Sequence, residues 1–304
     1  MIAHLQRMML CWGLLVMACV AWWCWPQSPG ALAATGLGLL ALNPLALGLE
    51  FLIMARVNRG DPAPPAPWPQ LLRAWVTEVR ASSRVFGFWQ PFRAEALADQ
   101  LSPSAAAGQR GVLLIHGYFC NRGVWTPWMR HFTKVGRPFM ALSLEPPFGS
   151  IDAYAAQVDR AVTALTEATG RPPIIVAHSM GGLVARAWWR ASAARGEALR
   201  VHHVITLGSP HQGTWLARWA YTVNGRQMRR ASPWLQTLAA EEPAERATAF
   251  SCFYSNCDNI VFPAHTATLP GAKAHFVPGI PHVALATDPG VRARVLALIE
   301  AMDR

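Results

Sequence analysis

Ser179 stands in Ala177-His178-Ser179-Met180-Gly181-Gly182. An apolar run, Pro173 to Ala177, leads into it, and Leu183-Val184-Ala185-Arg186 follows. Strand, tight turn, helix is the setting in which a small-x-Ser-x-Gly string carries chemistry. The turn lifts the serine oxygen above the end of a sheet, where it can attack a carbonyl. Small residues two before and two after the serine let strand and helix approach closely. Here the first is Ala177 rather than glycine, a methyl that negative φ tolerates. Gly181 and Gly182 keep the helix start open. A serine that only caps a helix would need none of this context.

The elements that must position this serine are legible as apolar runs alternating with helical patterns. Gly111–His116, Phe139–Leu144, Pro173–Ala177, Val201–Leu207, Phe250–Ser255 and His275–Val277 read as short strands. Helices are expected from about Trp125, over Ile151–Ala168 and Gly181–Ala194, and at the end over Val291–Ala301. The stripe Tyr154, Val158, Ala161, Val162, Leu165 marks the second of these. Apolar strands separated by helices predict a mostly parallel sheet covered on both faces.

The string AHSMGGLVAR resembles the nucleophile elbow of the α/β-hydrolase family, and of its bacterial lipase branch in particular. Leu114-Ile115-His116-Gly117-Tyr118 resembles the His-Gly turn of those lipases. Leu207-Gly208-Ser209-Pro210-His211-Gln212-Gly213 is similar to their LGTPH-x-G segment, and Tyr254-Ser255-Asn256-Cys257-Asp258-Asn259-Ile260-Val261 to their Y-S-x-x-D-x-I-V stretch. The resemblance covers about residues 110–304. It implies an α/β-hydrolase fold and hydrolysis of a carboxylic ester through an acyl-serine, with neither cofactor nor metal.

A serine hydroxyl is a weak nucleophile until a base takes its proton, and the base needs an orienting carboxylate. In the resembled fold the chain order is serine, acid, histidine. His282 fits the last place, in the Gly279-Ile280-Pro281 loop ahead of the terminal helix. His265, in a loop before the last strand, and His275, at the start of that strand, compete for the role. Asp258 closes the preceding strand and is the candidate acid. Asp288 comes after the histidine, and Glu241, Glu242 and Glu245 sit in a charged segment. The oxyanion needs backbone donors: the amide of Met180 after the nucleophile, and that of Tyr118 after the turn that Gly117 permits. His116 and His178, with Gly117 and Gly181, read as support for turn and elbow, and His211 as a loop brace. Cys120 reads as a small buried residue. Cys252 and Cys257 flank the acid, and a disulfide between them would need an oxidising compartment.

The first sixty residues have a different character. Met8 to Trp25 is 18 residues without a charge, and Ala31 to Met54 is 24 residues with Glu50 alone. Either run can span a bilayer core of about 30 Å. The breaker Pro26-Gln27-Ser28-Pro29-Gly30 between them makes an antiparallel transmembrane hairpin, helices about 8–25 and 31–54. Trp22, Trp23 and Trp25 would lie at the outer interface. Arg7, Arg56 and Arg59 flank the runs while the loop is uncharged, so the positive-inside rule puts both ends and the catalytic domain in the cytoplasm of a bacterial inner membrane. A signal peptide, with Arg7 as its basic start and Ala31-Leu32-Ala33 as cleavage site, is a competing reading, although the apolar run after Ala33 would remain an anchor; the opposite topology of the hairpin is a separate alternative.

Asp61–Pro69 reads as an extended proline spacer. Leu71, Leu72, Trp75, Val76 and Val79 then recur at helical spacing beside Arg73, Arg80 and Arg84. This amphipathic helix either lies on anionic headgroups or packs on the catalytic domain. The division is thus a hairpin over 1–58, a linker with amphipathic helix over 59–105 (Ala105-Ala106-Ala107-Gly108 being a loop), and a catalytic domain over 106–304. Deletion of 1–58 is expected to leave a soluble, active domain. Within 214–248, Trp215, Leu216, Trp219, Ala220 and Val223 form an apolar stripe opposed by Arg218, Arg226, Arg229 and Arg230. Trp234, Leu235 and Leu238 form another. The segment reads as a mobile lid over an acyl groove or as a fixed cap.

Composition agrees with a membrane address. Hydrophobic residues are 52% and charged ones 14%, against roughly 25% charged in a typical soluble domain. That excludes a disordered chain. Twenty-seven basic against 17 acidic residues give +10, and there are 14 tryptophans. The arginines are dispersed, with no basic run interleaved with stacking aromatics, so nucleic acid is not an expected partner. No C-x-x-C pair suggests zinc. The expected substrate is an acyl-lipid ester. An acyltransferase or thioesterase would use the same triad, and a silent membrane scaffold would keep only the fold.

Overall fold

The structure is a computed structural model and describes residues 1–24, 29–102, 108–197, 200–242 and 244–304. Trp25, the breaker residues Pro26–Ser28 and the loop residues Ala105–Ala107 lie outside the described residues.

Two long helices open the chain, α1 (Ile2–Cys24) and α2 (Pro29–Val57). Among the described residues, Ile2–Trp23 and Ala33–Gly60 are long and apolar enough to cross a membrane, with mean hydropathies of 1.5 and 1.9. The helices pack on each other and expose large apolar side chains, among them Trp12, Leu15, Trp22, Leu40, Leu45 and Leu49. Both outer ends meet the rest of the chain. The Met1 amino group pairs with Glu145 at 2.8 Å, and Gln6 donates to Gln90 Oε1 at 2.7 Å. At the other end Phe51 and Met54 are buried with Leu71, Cys257 and Phe262.

Next comes α3 (Trp68–Arg84), continued by a wider turn, Val85–Trp89, into α4 (Gln90–Arg93). The α3 face carrying Leu71, Ala74, Glu78 and Ser82 is buried, and the helix packs on α2 and on the short helix that carries His282. The buried face of this amphipathic helix thus packs on the hydrolase domain and on α2. The proline segment before it is likewise docked rather than free. Asp61 accepts from the amide of His265 at 3.0 Å and pairs with its ring at 2.7 Å, and Asn256 donates to the Pro64 carbonyl at 2.9 Å.

From residue 112 the chain alternates strands and helices: β1 (Val112–Ile115), α5 (Thr126–Val135), β2 (Phe139–Ala141), α6 (Ala155–Thr169), β3 (Ile174–His178), α7 (Met180–Ala194) and β4 (His203–Leu207). After β4 come α8 (Val223–Gln227), α9 (Pro233–Glu241), β5 (Phe250–Tyr254), β6 (Lys273–Phe276), α10 (His282–Thr287) and α11 (Pro289–Asp303). The six strands form one parallel sheet in the order β2-β1-β3-β4-β5-β6. The central strands are buried throughout, because helices cover both faces and no polar side chain is needed on either. One core layer sets β1, β3 and β5 side chains such as Leu113, Ile175 and Cys252 against α6 and α7. The other sets Leu114, Val176 and Phe253 against α5 and α11. The strand order reverses direction between β1 and β3, and ligand sites of open parallel sheets lie at the strand ends beside such a point. Ser179 follows β3 at that end.

Candidate active site

Ser179 has φ 55° and ψ −129°, a backbone region costly for any residue with a Cβ. Its amide donates to the Leu207 carbonyl at 2.9 Å, so the neighbouring β4 end pins the turn. The space around the turn explains its glycines. A Cβ on Gly117 would lie 2.6 Å from that of Ser179, and one on Gly181 would lie 2.8 Å from the His116 carbonyl oxygen. The two segments of the chain, 115–117 and 178–181, are in mutual contact here. Gly117→Ala and Gly181→Ala are each expected to lower stability by about 1–3 kcal/mol and to displace the nucleophile, seen as a lower Tm with a larger loss of ester turnover.

His282 opens α10, and its Nδ1 lies 2.9 and 3.0 Å from the two oxygens of Asp258. Asp258 is held in turn: its Oδ1 accepts from the amides of Ile260 at 3.0 Å and Val261 at 2.7 Å. Ser179, Asp258 and His282 are all buried. Burial alone would lower the proton affinity of His282. The charge and hydrogen bond of Asp258, with the charges of Glu78 and Glu50 behind, reverse this and raise it above the ordinary imidazole value. Ser179 and His282 line one cavity of about 250 Å³. A hydrogen bond between them is absent among the described residues, and catalytic pairs often tighten only with substrate bound. The amides of Tyr118 and Met180 have no protein acceptor among the described residues, which leaves both donors available.

The other histidines have structural partners. His116 Nε2 accepts from the Leu144 amide at 2.9 Å while Nδ1 faces the Gly117 carbonyl at 2.8 Å. Burial pushes its pKa down to about 4, so it holds the turn as a neutral ring. His178 Nε2 meets the His282 carbonyl at 2.9 Å, and burial keeps this ring neutral too. His211 Nε2 meets Thr206 Oγ1 at 3.0 Å. Of the competitors, His265 pairs with Asp61 and His275 stacks on Phe253; neither lines the cavity. Asp288 caps α11. Glu242 is bound to Arg186 at 2.6 Å and Glu241 to Arg190 at 3.1 Å. Cys120 also lines the cavity, but burial pushes its thiol up to about 11, so it is not a thiolate at neutral pH. Cys252 and Cys257 are free.

Sequence reasoning missed what covers this site. The cavity is lined by Asn43, Leu47 and Glu50 from α2, by Glu78 and Ser82 from α3, and by Phe86 after it. The expected lid, 214–248, contributes none of the described lining residues. Instead, Trp215 packs on Phe262 beside the C-terminal end of α2. Asn224 is fixed to the Pro147 carbonyl at 3.0 Å, Trp234 to Asp152 at 2.8 Å. The segment touches the site's surroundings through the Thr222 hydroxyl, 3.3 Å from that of Tyr118, and through the Thr214 hydroxyl, which donates to the carbonyl of the lining residue Ile260 at 2.5 Å. Two signals pointed to the true cover. Glu50 is the lone charge in a 24-residue apolar run, and such residues are functional candidates by default. Glu78 falls seven residues after Leu71, on the face that ought to be apolar.

No His, Cys, Asp or Glu cluster among the described residues could hold a metal ion.

The profile of the alpha/beta hydrolase family matches residues 112–301, and the chain belongs to that family. No curated protein matches the sequence. Among solved structures, the mature form of the Bacillus licheniformis lipase BlEst2 is similar in fold: TM-score 0.57 at 16% identity, covering 65% of this chain and 95% of that one. Its propeptide form gives TM-score 0.57 at 16% identity, over 67% of this chain and 53% of that chain. An Aspergillus fumigatus lipase B matches with TM-score 0.47 and 17% identity, over 62% and 54%.

Proposed function

We propose that this hydrolase is a membrane-anchored serine esterase that cleaves acyl-lipid esters through an acyl-serine. The observation that carries this reading is that Ser179 and His282, whose ring is held by Asp258, line one cavity to which α2 contributes Asn43, Leu47 and Glu50. Ser179 Oγ attacks the acyl carbon as His282 Nε2 takes its proton. The amides of Tyr118 and Met180 receive the oxyanion. The C–O bond breaks, and the alcohol leaves with the proton from His282. Water then attacks the acyl-serine, again giving its proton to His282, and the acid departs as Ser179 is re-protonated. Asp258 keeps the imidazole oriented and offsets its positive charge. The hairpin α1–α2 crosses a bacterial inner membrane. Arg7, Arg56 and Arg59 flank it at the ends that meet the catalytic domain, and the positive-inside rule then supports a cytoplasmic position for that domain.

The test is hydrolysis of chromogenic esters from acetyl to palmitoyl by the full-length protein in detergent. Turnover that rises with chain length is expected. Transfer of the acyl group to an added alcohol in preference to water would make it an acyltransferase. A folded sample that turns over no ester at any chain length would overturn the reading.

A further inference from the structure

Two carboxylates reach His282 from outside the matched hydrolase domain. Glu78, in the middle of α3, is 1% exposed. Its oxygens accept from the Val283 amide at 2.9 and 3.1 Å and from the Ala284 amide at 3.3 Å. These are first-turn amides of α10, whose first residue is His282 itself. Glu50, in α2, accepts from Asn259 Nδ2 at 2.7 Å, and Asn259 Oδ1 accepts from the His282 amide at 3.3 Å. Both struts therefore end on the backbone that aims the imidazole.

Free amides at a helix start need an acceptor, and a neutral serine or asparagine would satisfy them. A buried carboxylate does so at a heavy desolvation cost, which is why Glu78 is pushed up to about 7. The charge makes sense if something nearby becomes positive. In the proposed reaction one group does: His282, when it takes the serine proton. The groups facing it are Asp258 on Nδ1, Glu50, Glu78 and the neutral ring of His178, whose centroid lies 4.6 Å from its own. Arg122, on the turn packed against α10, is engaged elsewhere, with Asp99 at 2.6 Å and Glu95 at 3.7 Å.

On the serine-esterase reading, we propose that Glu78 directly, and Glu50 through Asn259, are positioning residues for His282. They hold the turn that carries it and supply negative charge to the imidazolium, so the N-terminal helical segment is a working part of the active site.

The experiment is the pH dependence of kcat/KM for a short, soluble ester, measured on the full-length protein in detergent. Wild type is compared with Glu78→Gln and Glu50→Gln. Fluorophosphonate labelling of Ser179 is followed over the same pH range. His282 must be neutral to act as base, and a nearby negative charge favours its protonated form. Removing that charge therefore moves the acid limb to lower pH, by a few tenths of a pH unit for Glu78→Gln, because the Glu78 carboxyl itself takes up a proton near pH 7, and by less for Glu50→Gln. The plateau of kcat/KM falls about tenfold for Glu78→Gln with KM nearly unchanged. Limbs that stay at the wild-type pH in both variants would overturn the proposal, even if the plateau falls, because a purely structural strut lowers the plateau alone. Should Glu78→Gln not fold, the limb of Glu50→Gln decides. A wild type that neither turns over ester nor takes the label would instead remove the esterase reading, and this proposal with it.

Discussion

Ser179→Ala is expected to lower kcat for any ester substrate by about a million-fold, to the level left by binding and the oxyanion donors alone. Fold and Tm should hold. Serine and alanine carry the same Cβ, so the strained backbone at φ 55° is no worse for alanine. The Ser179 hydroxyl also has no hydrogen-bond partner to lose among the described residues. Only the attacking oxygen disappears. Steady-state turnover and a thermal melt of the two proteins side by side check both halves. Activity close to wild type would remove Ser179 as nucleophile. The cavity's other candidate, Cys120, would then have to react as a buried thiol.

Removal of residues 1–58 is expected to cost both stability and at least a hundredfold in kcat/KM, even with short soluble esters. This reverses the simpler expectation that an anchor can be cut away from a self-sufficient domain. The deletion takes out Phe51 and Met54, which are buried against Leu71, Cys257 and Phe262. Burying such side chains contributes about 1.5–3 kcal/mol each, a large part of a total stability of about 5–15 kcal/mol. It also takes out Asn58, whose Oδ1 accepts from the Ala264 amide at 3.2 Å. At the site it removes Asn43, Leu47 and Glu50, one wall of the cavity. Expression of 59–304, with a melt and short-ester kinetics, decides. A fragment that melts with the full chain and keeps turnover within a few-fold would make the wall dispensable.

The parts of this molecule that the sequence makes legible are those encoded over short stretches. A buried strand is a run of apolar residues, and a nucleophile elbow is a strand, a turn and a helix in one string. The six strands and the elbow at Ser179 therefore lie within a few residues of where pattern reading puts them. Asp258 and His282 could be placed because each follows its own strand. What covers the site is written in no local pattern. Glu78 meets Val283 across 205 residues of chain, and Glu50 meets Asn259 across 209. Periodicity shows that α3 and the 214–248 segment each have an apolar face, and is silent about which partner that face meets. In the 214–248 segment, Trp215 and Leu216 meet the apolar surface at the end of α2, a partner that no local pattern specifies. The proline segment shows the same blind spot. DPAPPAPWP has the composition of a free spacer, yet Asp61 is buried in a pair with His265.

The wall that α2 contributes to the cavity also bears on how such an enzyme would sense its substrate. On the proposed membrane-anchored reading, a nucleophile reached past its anchor would meet esters that diffuse sideways within a leaflet. Their abundance is then counted as molecules per lipid, not per litre. Inert lipid added to the bilayer would dilute them while the bulk concentration stayed constant. The encounter would then be a two-dimensional one, governed by bilayer composition and area, and the anchor would set the medium in which the reaction is measured.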